Sequence, residues 1–308
     1  MQEGALAIDS KARSVNTSKP WLLVTLVDGS HSMSADWVGT KRSMAEIVEQ
    51  SVNNMLYDMA LHYSISEGEG EDVLKDRIHL RLLTYSGEDD VSDPIPLPGG
   101  SYYLHSDGED GWVKNYSELH RYNGSQAEIP RWFKHVPNGK TPMLKAFQTA
   151  RRVIEEHISQ FPDSFPPVLL NISDGEPSDC GDPIDWSRLT TECEAIRSLG
   201  SDGNHPIICN VHLDPRGRGL PSLYPEKPPS ENGIEDGLWR SSSKISDLKG
   251  FQANHSIPEV ARDGNGDRRF FVFNSDLMHF HEFLSFSTRL GTNLSAPPSR
   301  YVDFTEEE

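Results

Sequence analysis

Along the chain, continuous apolar runs alternate with stretches whose apolar residues recur every three to four positions. "WLLVTLVD", Trp21 to Asp28, is apolar almost throughout, the pattern of a strand buried on both faces. From Met44 to Tyr63 the apolar residues fall at Met44, Ile47, Val48, Val52, Met55, Leu56, Met59, Ala60 and Tyr63, which predicts a helix. An acidic turn, "SEGEGED", follows. "RIHLRLLTYSG" alternates Ile78, Leu80 and Leu82 with polar neighbours and reads as a strand. "TPMLKAFQTARRVIEEHI" puts Leu144, Phe147, Ala150, Ile154 and Ile158 on one helical face, with Thr141 as N-cap and Pro142 at the first helical position. "PPVLLNISDGEPSD" is a strand that ends at Asp174-Gly175. "DWSRLTTECEAIRSLG" is a helix with Asp185 as N-cap and Gly200 as its stop. "PIICNVHL" is a strand. A loop rich in Pro and Gly, about 215–237, leads to a short helix expected near 241–249. "RRFFVFNS" is the last strand and "SDLMHFHEFLSFSTRLG" the last helix. Residues 87–140 hold Gly, Pro and aromatics with little period. One antiparallel edge strand is expected near "PIPLPGGSYYLH", then long loops or a short helix.

Strands alternating with helices imply an α/β fold: a mostly parallel sheet with helices on both faces. The working crevice of such a sheet lies at the carboxyl ends of its strands, where strand order reverses. Asp28 and Asp174 each sit at such an end, and Thr141 opens the helix that feeds the second. All three are therefore expected at one rim. One domain is expected over 20–292, with a flexible N-terminal arm at 1–19 and an acidic tail at 293–308.

Composition narrows the partners. The 308 residues are 35% hydrophobic, enough for a core, and carry a formal net charge of −18. Such a surface repels phosphate backbones and suits cations or basic partners, so nucleic acid is not expected. No run approaches the ~18 apolar residues of a membrane span. The first 20 residues lack the apolar core of a signal peptide. The three cysteines, Cys180, Cys193 and Cys209, are odd in number, and no pair has metal-ligand spacing. These features predict a cytoplasmic protein without a disulfide framework, a thiolate zinc site or a membrane partner.

The candidate chemistry is oxygen chemistry. Asp28, Ser30 and Ser32 alternate, so an extended chain aims all three side chains the same way. Thr141 adds a third hydroxyl and Asp174 a second carboxylate. An all-oxygen donor set suits a hard divalent cation such as Mg²⁺. Three neutral hydroxyl ligands would leave the ion electron-poor, so an open position should attract an anionic oxygen from another molecule. Taken singly, each residue also has a plainer reading: Asp28 in an Asx turn, Ser30 and Ser32 capping that turn, Thr141 as a helix cap alone. Glu176, Asp179 and Asp182 are open to a second cation or to an ordinary acidic loop. "DGNGDRR" at 263–269 begins like a calcium loop. It fails because Arg268 replaces the required glycine and Asn274 the final glutamate, so a turn is expected. Arg216 and Arg218 fit an anion contact or simple loop solubility.

The trio "DGSHS", the Thr of "GKTPMLKA" and the Asp of "ISDGEPSD" resembles the metal-ion-dependent adhesion site of von Willebrand factor A domains. That signature is Asp-x-Ser-x-Ser, a distant Thr and a distant Asp, and the resemblance spans roughly residues 20–290. It implies a Rossmann-like, doubly wound, mostly parallel six-stranded sheet with one antiparallel edge strand. Mg²⁺ or Mn²⁺ would sit at Asp28, Ser30, Ser32, Thr141 and Asp174. It further implies a non-enzymatic module in which an acidic residue of a protein partner completes the metal shell. The C-terminal pieces "NVHLDP" and "FVFNSDLMHFHEFLSFSTR" are similar to intracellular bacterial members. Those work beside ATPases, kinases or phosphatases in signalling, stress and defence systems. Two features depart from the family: His31 stands where glycine is common, and the 87–140 segment is long. His31 and the Asn138–Lys140 loop are expected on the rim. The alternative is a metal-dependent phosphatase or hydrolase. It is weakened because Ser30 occupies the place of the second Asp of an aspartyl-phosphate enzyme, and no glycine-rich phosphate loop or supported general base is present.

Overall fold

A computed structural model describes residues 18–66, 72–74, 78–88, 90–92, 102–103, 119–121, 128–130, 133–200, 205–214, 221–231, 233–245, 267–274 and 280. In chain order they form β1 (Trp21–Asp28), a 3-10 turn (His31–Ser34), α1 (Met44–Tyr63), β2 (Ser64–Ser66), β3 (Asp72–Leu74) and β4 (Ile78–Ser86). Then come β5 (Asp90–Ser92), β6 (Tyr102–Tyr103), β7 (Leu119–Arg121), β8 (Glu128–Pro130), α2 (Met143–Gln160), β9 (Val168–Ser173) and α3 (Trp186–Arg197). The last are β10 (Ile207–His212), β11 (Ser222–Leu223), α4 (Ile234–Ser241) and β12 (Phe271–Phe273).

The main sheet runs β11-β12-β10-β9-β1-β4-β5, with β6 also on β4. Its centre is parallel: β1 pairs with β4 on one side and β9 on the other, and β10 with β9 and β12. Antiparallel strands close both edges, β5 and β6 against β4 and β11 against β12. The α/β class and the antiparallel edge thus match the reading of the sequence. The eight strands exceed the expected six because the added edge strands are two or three residues long and carry no readable period.

Every residue of β1 is buried, as its unbroken apolar run requires of a strand covered on both faces. Leu23 and Val27 belong to a core cluster with Ile47, Val48 and Val52 of α1. Leu22, Val24 and Leu26 share the opposite cluster with Phe147 of α2, Leu189 of α3 and Leu238 of α4. Each such side chain contributes about 1.5–3 kcal/mol over its exposed state. The chain leaves β1 for β4 on one flank and returns to β9 on the other. Strand order therefore reverses between β1 and β9, and a crevice opens at their carboxyl ends.

Three expectations are corrected in detail. First, the end of the loop expected at about 215–237 runs into α4, Ile234–Ser241, while residues 246–249 of the helix expected near 241–249 lie outside the described residues. Gly233 and Gly237 disguised α4 as loop. Gly237 faces the Trp186 ring, and a Cβ there would lie 2.1 Å from Trp186 Cε3. Gly237→Ala is therefore expected to cost about 1–3 kcal/mol by overpacking, read as a lower urea midpoint at unchanged slope. An unchanged midpoint would mean that the ring moves aside freely. Second, β4 is buried on both faces, His79 included, rather than on one. The His79 ring packs edge-on against His157 and Phe161 of the α2 end. Third, the segment after β6 contains the β7–β8 hairpin.

Asp267 pairs with Lys244, Arg268 with Glu226, and Arg269 lies over Trp239. Arg269 also forms an antiparallel bridge with Lys244, and residues 263–266, where the turn is expected, lie outside the described residues. The last helix (except residue 280), residues 1–17, the tail at 293–308, and Arg216 and Arg218 lie outside the described residues. Among the described residues, no helix is long and apolar enough to cross a membrane.

Candidate metal centre

Asp28 is the last residue of β1 and is fully buried. The chain then stays extended through Ser30 (φ −69°, ψ 162°) before the 3-10 turn, so the alternation of Asp28, Ser30 and Ser32 survives the strand end. Main-chain bonds clamp this exit from both sides. Gly29 N–H donates to Tyr85 O at 2.8 Å, Asn138 N–H to Gly29 O at 2.6 Å, and His31 N–H to Gly139 O at 3.0 Å. The Asn138–Lys140 loop is stitched to Gly87 in turn, through Gly87 N–H to Asn138 O and Lys140 N–H to Gly87 O. Gly139 has φ +69°, and a Cβ on it would lie 2.5 Å from Gly87 Cα. Only glycine allows this crossing, which brings Thr141 to the strand end.

Thr141 is buried, and α2 begins two residues later, at Met143. The cap of that helix comes from elsewhere. Asp179 accepts from Leu144 N–H at 3.1 Å and Lys145 N–H at 2.8 Å, a negative charge at the positive end of the helix. Capping therefore does not explain Thr141, and Asp179 acts as a structural residue. Among the described residues no three or more His, Cys, Asp or Glu are grouped to hold an ion, so Glu176, Asp179 and Asp182 do not form a second site. Asp185 caps α3 as expected, accepting from Ser187 N–H at 3.0 Å.

The five candidate residues come together. Ser30 Oγ and Ser32 Oγ are 3.0 Å apart, and Ser32 Oγ donates to Asp174 Oδ1 at 2.8 Å. A Cβ placed on Gly175 would meet Thr141 Oγ1 at 3.1 Å, Asp28 Oδ2 at 3.5 Å and Ser32 Oγ at 3.7 Å. Oxygens from three chain segments therefore face one small space kept open by a glycine. Asp174 Oδ2 is buried without a hydrogen-bond partner. Burial raises the Asp28 carboxyl, against hydrogen bonds from Ser173 and Ser30. Burial also holds Asp174 up at about 7, with the Asp28 charge as second cause and the Ser32 bond opposing. Two desolvated carboxylates and an orphaned oxygen call for a cation, and a donor set of oxygens alone suits Mg²⁺ or Mn²⁺. The residues fit the ion that the resemblance implies.

Reading the sequence missed three supports. Ser173 Oγ donates to Asp28 Oδ2 at 2.5 Å and accepts from Gly175 N–H at 3.1 Å. Its only sequence signal is adjacency to Asp174. His135 Nε2 lies 2.8 Å from the Asp28 carbonyl oxygen and Nδ1 3.3 Å from that of Ala45. Its main-chain N–H donates to Glu49 at 2.8 Å. Burial lowers its pKa, and the ring, set between these two carbonyl oxygens, braces the strand end. The Gly87–Gly139 crossing is the third. On the rim, His31 is exposed, and Lys140 pairs with Glu88 at 3.1 Å in the open.

Neither a protein-family model nor a curated protein matches the sequence. Among solved structures, the chain is similar to the manganese-loaded TRAP protein of Plasmodium vivax. Identity is 12%, over 87% of this chain and 73% of that one, at a TM-score of 0.37. It is also similar to the human COPII-coat protein Sec24c, at 10% identity over 63% of this chain and 26% of that one, with a TM-score of 0.31. Likeness at this level adds nothing to the site, which rests on the geometry above.

Proposed function

We propose that this chain is a von Willebrand factor A-type module that binds a protein partner through a Mg²⁺ or Mn²⁺ ion held by Asp28, Ser30, Ser32, Thr141 and Asp174. The observation that carries the reading is the convergence of Thr141 Oγ1, Asp28 Oδ2 and Ser32 Oγ beside Gly175, next to the unpartnered Asp174 Oδ2. When bound, the ion supplies Lewis acidity toward an incoming anionic oxygen. The chain's residues hold that ion with two buried charges and three neutral hydroxyls, which leaves it avid for a carboxylate. A partner that delivers one needs neutral or basic flanks to offset the field of a −18 chain.

The resemblance to intracellular bacterial members sets the context we propose: a cytoplasmic signalling, stress or defence system, with a kinase, phosphatase or ATPase as the class of partner. A metal-dependent hydrolase is the second reading. It is less favoured because the oxygens beside Gly175 are the proposed metal ligands, and both His135 ring nitrogens face backbone carbonyls rather than that space.

Isothermal titration tests the reading. The wild type is expected to bind one Mg²⁺ or Mn²⁺, with affinity at least a hundredfold weaker in Asp28→Ala and in Asp174→Ala. Unchanged binding in both variants would sink the assignment. Phosphoester turnover that needs metal and vanishes in Asp28→Ala would favour the hydrolase.

A further inference from the structure

We infer that Ser173 is a positioning residue of this centre, whose hydroxyl fixes the Asp28 carboxylate and the Asp174 loop relative to one another. The inference rests on the metal-site reading above. Ser173 is the last residue of β9 and fully buried. Val27 pairs with Ile172 in the parallel register, so the next residues, Asp28 and Ser173, leave the sheet side by side.

The hydroxyl has one proton, and its short bond is to Asp28 Oδ2, at 2.5 Å. The contact with Gly175 O is longer, at 3.3 Å. Its lone pairs remain free to accept Gly175 N–H at 3.1 Å. Asp28 Oδ1 accepts Ser30 N–H at 2.9 Å. The Asp28 carboxylate is thus held at both oxygens, once by its own loop and once by the neighbouring strand. Asp174 lies between two fixed points: Ser173, whose carbonyl accepts Leu213 N–H at 2.9 Å, and Gly175, whose amide Ser173 Oγ holds. One hydroxyl therefore sets the orientation of a carboxylate on one strand and the path of the loop that carries the other. Alanine would leave Asp28 Oδ2 without that donor and Gly175 N–H without that acceptor, and both carboxylates could turn away from a shared ion. Outer partners of this kind govern metal affinity through the ligands they orient.

The test measures Mn²⁺ affinity in the full chain by titration, with melting in EDTA recorded separately. Ser173→Ala is expected to bind Mn²⁺ about 10–100-fold more weakly, while Ser173→Thr, which keeps the hydroxyl, stays within roughly threefold of wild type. Ser173→Cys, similar in size but a weak donor, is expected between them and decides the matter if the alanine variant does not fold. Ser173→Ala that melts lower in EDTA yet binds Mn²⁺ as the wild type does, while Asp28→Ala does not bind, overturns this inference alone. A wild type that fails to bind Mn²⁺, or binds it equally well as Asp28→Ala, overturns the metal-site reading and this inference with it.

Discussion

Asp174→Asn is expected to be more stable than the wild type in EDTA at pH 8, and to gain nothing when Mg²⁺ is added. The wild-type carboxylate is held at about 7 by burial and by the charge of Asp28, against an ordinary value of 3.8. Between those values the folded protein keeps a proton that the unfolded chain has released. The contribution to stability is therefore fully present below the unfolded value and lost as pH rises through about 7. At about 1.4 kcal/mol per pH unit the ceiling is about 4 kcal/mol, and relaxation of the site should leave on the order of 2 kcal/mol. Asparagine removes the charge and can still accept from Ser32.

Wild-type stability alone cannot isolate this effect, because His79 and His157 work in the opposite direction. Burial lowers them to about 4 and about 3, so their contribution falls as pH drops below their ordinary value of 6.5. The difference between Asp174→Asn and wild type cancels both histidines. It should grow from about pH 4 to about pH 7 and then level off. Urea midpoints measured at several pH values in EDTA would show it. A variant less stable than wild type at pH 8 would mean that Asp174 is not strained without metal.

Gly139→Ala is expected to carry the largest stability loss of any single methyl addition near the site. Its backbone is left-handed, at φ +69°, which costs a side chain roughly 1–2 kcal/mol. Its Cβ would also meet Gly87 backbone atoms at 2.5 and 2.8 Å, and main chain cannot swing aside as a side chain can. Overpacking adds about 1–3 kcal/mol, for a loss of about 2–5 kcal/mol. Thr141 follows two residues later, so metal affinity should fall as well. Gly39→Ala is the control. Its φ is +80° with nothing within 4 Å of the added carbon, so it should show only the conformational cost and keep its metal affinity. Equal losses in the two variants would mean that the crossing of Gly87 and Gly139 contributes nothing beyond backbone strain.

Much of the frame was legible in the sequence because it depends on local pattern. β1, α2 and α3 follow directly from hydrophobic period, and all five oxygen donors stand at strand ends or a helix start that the period marks. The unread parts depend on contacts between segments distant in sequence. Asp179 caps a helix that begins 36 residues before it, and an acidic loop gives no sign of that. Gly237 looks like a loop residue until Trp186 is packed over it. His79 looks exposed in an alternating strand, yet β6 lies along its edge and the α2 end covers its ring. Ser173 looks like ordinary strand polarity because its partner, Asp28, is 145 residues away.

The most direct measurement is a diffraction experiment on crystals grown with Mn²⁺, with data collected at the manganese absorption edge. The account predicts one strong anomalous peak beside Gly175, about 2.1 Å from ligand oxygens. Those oxygens should come from the set Asp28, Ser30, Ser32, Thr141 and Asp174, either directly or through water, with one position filled by water or by an acidic group of a neighbouring molecule. No peak there at saturating Mn²⁺, or a peak held by other residues, would contradict it.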